Sequence, residues 1–206
     1  KIKLFLTIIC ACQIWIVSQS SLVNADTSNN QTPIKDIFIG LESAPVTIIE
    51  YASLGCSHCA NFHLNTLPKI KSEYINKGKV KLIFKNFPLG TPSLAAAMIA
   101  RCSGKKRFLG MIEIFFRSQK EWTQAERPII ALKKIARFGG LNEKKVDDCL
   151  SKQDLLNQIQ KTAEHGQNKY NIKSTPSFVI NGKLISGNVP FEDFKTVIDT
   201  AIKRAK

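Results

Sequence analysis

The 206-residue sequence predicts an α/β fold in which a helical insertion separates a β-α-β half from a β-β-α half. Three observations predict it. The β-branched run Val46-Thr47-Ile48-Ile49-Glu50-Tyr51 gives way after Gly55 to helical spacing. Residues 92–170 then keep an almost unbroken helical periodicity. The chain closes on a short strand, the two-residue hairpin signal Asn181-Gly182, a partner strand and an amphipathic helix. An apolar share of 44% with 22% charged residues supports a domain with a true core and excludes a disordered or collagen-like chain.

Each element has a local reason. Residues 34–39 form a short edge strand, and turn-forming residues occupy 40–45. Residues 46–51 are dense in apolar side chains, as a buried central strand requires. The helix that begins near Cys56 places Phe62, Leu67, Ile70 and Tyr74 on its apolar side, kinks at Pro68 and closes at Gly78. Residues 80–87 alternate as a second strand. Within the insertion, Ala95, Met98, Ile99 and Cys102 share one helix face, and 108–116 form another apolar-rich helix. Pro128 sits at the start of the next, which carries Ile129, Leu132, Ile135 and Ala136 on one side. Asn142 caps a short helix bearing Val146, Cys149 and Leu150, and 153–169 read as one long helix. Ser177–Ile180 and Lys183–Ser186 pair through the hairpin, and 191–205 form the closing helix. The sheet parts are therefore expected at about 34–90 and 171–206, with the insertion at about 91–170.

Residues 1–25 read as a secretory signal. Lys1 and Lys3 supply the basic start, residues 4–17 are apolar apart from Thr7 and Gln13, and Val23-Asn24-Ala25 is a small-residue cleavage site. The mature domain would then span 26–206 in the periplasm, or stay membrane-anchored if the signal is retained. Cys10 and Cys12 leave with the signal, while Cys56, Cys59, Cys102 and Cys149 remain where disulfides persist. No apolar run reaches the roughly 18 residues of a spanning helix, which excludes a multi-pass membrane protein. The net charge of +14 falls to +12 once Lys1 and Lys3 are removed. The lysines are scattered without interleaved aromatics. They read as solvated helix faces that favour anionic or membrane-surface encounters, not nucleic acid.

The sharpest chemical signal is Cys56-Ser57-His58-Cys59, where a strand ends and a helix begins. At a helix N-terminus, unpaired N–H groups and the macrodipole favour negative charge, so Cys56 is expected to have a lowered pKa and a larger thiolate fraction. Thiolate is the attacking species in thiol–disulfide exchange. Cys59, one turn on, is the more buried partner, and His58 adds a donor or positive charge beside Cys56. Other readings compete. A c-type haem needs His after the second cysteine, and Ala60 stands there. Zinc could use Cys56, Cys59 and His58 or His63, but no second ligand cluster follows, so no metal or cofactor is expected. A purely structural disulfide would close too small a loop to brace much. Thr175-Pro176, just before the Ser177–Ile180 strand, places a proline where a cis bond or an ordinary trans turn would fit.

These residues resemble the DsbA-type branch of the thioredoxin superfamily. The likeness rests on Ala44-Pro45 and the strand to Tyr51, on Cys56-Ser57-His58-Cys59 with Phe62-His63, and on Thr175-Pro176-Ser177-Phe178-Val179-Ile180-Asn181-Gly182. It covers about residues 34–205, and the helical insertion is typical of that branch. The resemblance implies a thioredoxin fold and a monomeric periplasmic oxidase. Such an enzyme passes its disulfide to reduced exported proteins and is reoxidised by a DsbB-type, quinone-linked membrane partner. It implies Cys56 as the exposed nucleophile, Cys59 as the buried resolving thiol, Pro176 as the facing cis-proline, and Thr175 as a source of backbone bonds to substrate. Glu50, six residues before Cys56, matches the buried acid that handles the inner thiol's proton; an ordinary strand-end carboxylate is the alternative.

There are departures. Ser57-His58 stands where Pro-His is usual, which leaves an extra N–H and a looser helix start. Thr175 before the proline resembles the four-cysteine, alpha-proteobacterial subgroup and also the isomerases. Those isomerases carry an N-terminal dimerisation domain, and the length read here argues against them. The four-cysteine subgroup implies a structural disulfide between Cys102 and Cys149; two buried free thiols are the alternative. Closing that loop of nearly fifty residues would stabilise by about 4 kcal/mol. Two other functions stay open: a reductase or isomerase kept reduced by a membrane electron donor, and a surface adhesin or binding protein that retains only the fold.

Overall fold

In the computed structural model the described residues are 34–205. The expected signal, with Cys10 and Cys12, and the expected start of the mature segment lie outside them. A five-stranded sheet has the order β1-β3-β2-β4-β5, from β1 (Ile37–Ile39), β2 (Val46–Ala52), β3 (Val80–Asn86), β4 (Ser177–Ile180) and β5 (Lys183–Ser186). Only β2 and β3 run parallel; every other pair is antiparallel. A parallel pair needs a crossover connection, which the helical run from Ser57 supplies. β1 is shorter than its apolar run, because pairing to β3 starts at Ile37 against Phe84. The hairpin forms at Asn181 (φ 43°) and Gly182 (φ 89°), the two positive φ values that a tight turn of this kind requires.

The crossover is not a plain helix. It runs through α1 (Ser57–Asn61), a π-helical turn (Phe62–Thr66), α2 (Leu67–Ile70) and a second π-helical turn (Lys71–Ile75). Pro68 lies at the start of α2. Its missing N–H falls where the wider π turn ends, so helical turns continue on both sides of the proline. The apolar side of this run (Phe62, Leu67, Ile70, Tyr74) packs with Val46, Ile48, Leu82 and Phe178 of the sheet and with Phe194 and Ile198 of the last helix, α9 (Phe191–Arg204).

Between β3 and β4 lie six helices: α3 (Thr91–Cys102), α4 (Phe108–Arg117), α5 (Gln119–Thr123), α6 (Pro128–Phe138), α7 (Glu143–Leu150) and α8 (Gln153–Tyr170). Asn142 caps α7, its Oδ1 accepting the Lys145 N–H at 2.9 Å. Tyr51, Phe87 and Val179 bury against Ala163 and Tyr170 of α8. Phe84, Leu54 and Cys59 join Phe108, Phe115, Trp122 and Ile135 of the insertion in one core, so sheet and insertion share their packing. Arg101 of α3 donates to Asn86 Oδ1 at 2.8 Å and stacks on Phe108 at 4.6 Å, while burial pushes its pKa down to about 10. A disulfide joins Cys102 of α3 to Cys149 of α7 across 47 residues. No described helix is long and apolar enough to cross a membrane.

Candidate functional site

The site is built where central strand β2 ends. The Cys56 N–H donates to the Ser53 carbonyl at 3.1 Å, and Ser53 Oγ accepts the N–H groups of Gly55 (3.3 Å) and Leu89 (3.2 Å). A Cβ at Gly55 would lie 2.2 Å from Ser93 Oγ, so any larger residue here would have to displace that hydroxyl of α3. Cys56 takes the cap position of α1 with extended backbone, half-buried; Cys59, on the first turn, is fully buried. Both carry free thiols. The Thr175–Pro176 peptide is cis, and the Thr175 carbonyl accepts from Cys56 Sγ at 3.2 Å, which sets the proline segment against the outer sulfur.

The two thiols are pushed in opposite directions. The Cys59 thiol, hydrogen-bonded to the Cys56 sulfur, is the largest influence drawing the Cys56 pKa down to about 5. Partial burial opposes it; the Thr175 side chain and the backbone N–H groups of Cys59 and His58 assist. Burial pushes the Cys59 thiol far up, and negative charge at Cys56 and Glu50 pushes it further. The proton therefore stays on the inner sulfur and the charge on the outer one. Thr175 Oγ1 is buried without a partner when Cys56 donates to the carbonyl, and is placed to donate to the thiolate once that proton is lost.

His58 offers the Cys56 sulfur a main-chain donor. Its side chain is exposed, and its contribution to the Cys56 sulfur comes from its backbone N–H. Ser57 is also exposed. Glu50 is fully buried on the β2 face that carries Val46 and Ile48, flanked by Phe84 and Phe178 on the neighbouring strands. Its carboxylate accepts a shared hydrogen bond from His63 Nε2, at 2.9 and 3.0 Å to its two oxygens. This pairing, between a strand residue and one in a π-helical turn, was missed. Gln119 was missed altogether: from α5 its Nε2 donates to the carbonyls of Leu54 (2.7 Å) and Cys56 (3.0 Å), on either side of Gly55. Among the described residues no group of three or more His, Cys, Asp or Glu is arranged to hold a metal ion.

A C-x-x-C pair at the end of a central strand, against a cis-proline and beneath a helical insertion, defines the thioredoxin-fold class. A sequence profile of the thioredoxin family matches residues 32–200. A putative protein-disulfide oxidoreductase of Rickettsia felis is 27% identical over 172 residues, 83% of this chain and 62% of that protein. The chain thus spans somewhat under two thirds of the length of that relative. Disulfide bond formation protein D of Bacillus subtilis is 28% identical, covering 86% of this chain and 82% of its own length. The crystal structure of Wolbachia pipientis alpha-DsbA1 superposes with a TM-score of 0.77 at 30% identity, over 86% of this chain and 96% of that one. Oxidised BdbD of Bacillus subtilis superposes with a TM-score of 0.72 at 26% identity, over 82% and 93%. The chain belongs to the thioredoxin family and is DsbA-like in fold.

Proposed function

We propose that the protein is a thiol:disulfide oxidoreductase that introduces disulfides into exported proteins by exchange at Cys56–Cys59. The observation that carries the reading is the half-exposed Cys56 sulfur at the N-terminus of α1, set against the cis Thr175–Pro176 peptide, with its pKa drawn from 9.0 down to about 5, chiefly by the Cys59 thiol. The folded value lies below the unfolded one. Stabilisation of the reduced fold is therefore complete above pH 9 and is lost as pH falls through about 5. A reduced form stabilised in this way makes the disulfide a strong oxidant.

In the oxidising direction a substrate thiolate attacks Cys56 Sγ, and Cys59 leaves. A second substrate thiol then attacks the mixed disulfide and releases Cys56 as thiolate. Only the two sulfurs are needed, so the reaction requires no cofactor. The Thr175 carbonyl and its cis-proline stand where an extended substrate would dock. The name of the Bacillus subtilis relative, disulfide bond formation protein D, supports disulfide formation as the direction. We place the mature protein in the periplasm as a monomer, reoxidised by a DsbB-type quinone-linked membrane partner. Equilibration with glutathione tests the reading: a potential between about −120 and −180 mV is expected, and a value near about −270 mV overturns it in favour of a reductase.

A further inference from the structure

The chain passes from β2 to Cys56 through Gly55, and glycine is the residue type with the widest backbone freedom. From the cap position a side-chain acceptor meets the N–H groups two and three residues on, here those of His58 and Cys59. Those contacts hold only while the backbone of Cys56 keeps its angle to α1. The restraint comes from α5. Gln119 is buried there, and its Nε2 donates to the Leu54 carbonyl at 2.7 Å and to the Cys56 carbonyl at 3.0 Å, so one amide spans Gly55. The Cys56 carbonyl also accepts the Ala60 N–H at 3.1 Å, which ties the same peptide into α1. The Cys56 carbonyl carbon and the side chain that bears Sγ branch from one Cα, so fixing the carbonyl fixes the root of the sulfur. The amide also arrives from a fixed platform. Trp122, three residues on, is fully buried in the core shared by sheet and insertion, and its Nε1 donates to the Phe115 carbonyl at 3.0 Å. Its ring lies 3.5 Å from the place that a Gly55 Cβ would take. Both buried side chains of this five-residue helix thus meet the redox turn, while its charged residues, Lys120 and Glu121, are exposed.

We propose that Gln119 is a positioning residue for exchange: by clamping the carbonyls on both sides of Gly55 it holds the Cys56 sulfur against the N–H groups of His58 and Cys59, and so sets how strongly the Cys56–Cys59 disulfide oxidises. The proposal deepens the exchange reading and rests on it. Without the amide the chain keeps both cysteines and the cis-proline, but the joint at Gly55 is freer to move. The N–H groups then meet the sulfur less squarely and the outer thiolate gains less from them. A less stabilised reduced form makes the disulfide a weaker oxidant. The bonds made and broken in exchange stay the same; only the balance between the two redox forms shifts.

Two readouts on the full chain test the clamp: thiolate absorbance against pH, and equilibration with glutathione. Gln119→Met keeps the length of the side chain and removes the donor; Gln119→Ala removes both. Asn142→Ala, which uncaps α7, is the control for lost stability alone. Both Gln119 variants are expected to raise the midpoint of the Cys56 thiolate by about half a unit to one unit. They are expected to weaken oxidation of glutathione at equilibrium by about threefold to tenfold, while Asn142→Ala moves neither readout. If Gln119→Ala does not fold, Gln119→Met decides alone. A Gln119→Met variant with the wild-type midpoint or the wild-type equilibrium overturns the proposal, because the amide then only satisfies two carbonyls. Equal shifts in Asn142→Ala overturn it too, because any loosening of the fold would then do the same. An unaltered chain that exchanges no disulfide at all overturns the functional reading instead.

Discussion

The two cysteine pairs use the same atoms to opposite ends. Cys102 and Cys149 lie 47 residues apart, and their bond ties two helices within an apolar cluster that includes Ala97, Met98 and Ile159. Cys56 and Cys59 sit on one helical turn at the molecule's edge, where one sulfur meets N–H groups and the other meets the core. A long loop and apolar surroundings favour a permanent bridge. A short loop and an uneven environment favour one that breaks and re-forms. Reactivity here comes from the difference between the two sulfurs of a pair more than from the cysteine itself.

The contrast can be broken at either pair. The largest expected effect is at the outer sulfur: Cys56→Ser should reduce disulfide exchange with a peptide dithiol to background. Cys59→Ser should accumulate mixed disulfides, visible on non-reducing gels. Replacing both Cys102 and Cys149 with Ala should instead leave exchange in place and lower unfolding free energy by about 4 kcal/mol in urea titrations. Comparable losses of exchange from both replacements would mean that the division of labour is wrong.

Smaller changes sharpen it. Gln119→Ala takes the side-chain donor from the Leu54 carbonyl, leaves the Cys56 carbonyl with the Ala60 N–H alone, and should cost about 2 kcal/mol of stability in the same titration. Thr175→Val removes the hydroxyl that assists the thiolate. The midpoint of thiolate absorbance, expected at about 5 in the unaltered protein, should rise by about one unit or less. An unchanged midpoint would assign all of the lowering to Cys59 and the backbone.

Much of this was legible in the chain itself, and the limits are physical. The β-branched run of β2, the hairpin at Asn181-Gly182 and the N-cap Asn142 are local signals, and they fold as their local chemistry directs. The α5 helix has only five residues, too few to establish a period, so Gln119 and Trp122 gave no warning of their burial. The π-helical turns depart from the 3.6-residue period that sequence patterns are read against. Glu50 and His63 meet across a strand-to-helix crossing, and no spacing rule covers such a contact. For His58 the residue type drew attention to the ring, while the group near the sulfur is the backbone N–H that most residues could supply.

The bonds from Gln119 to the redox turn bear on modularity. A helical block set between two halves of a sheet invites transplantation, and the C-x-x-C stretch invites grafting onto a bare sheet scaffold. In this chain neither piece is self-contained. The turn that presents Cys56 finds a donor for two of its carbonyls in α5, more than sixty residues later. A graft that carried the cysteines without that amide would inherit the reactive residues and lose part of the frame that aims them. The insertion and the redox turn are thus one heritable unit, and a chimera would have to move them together.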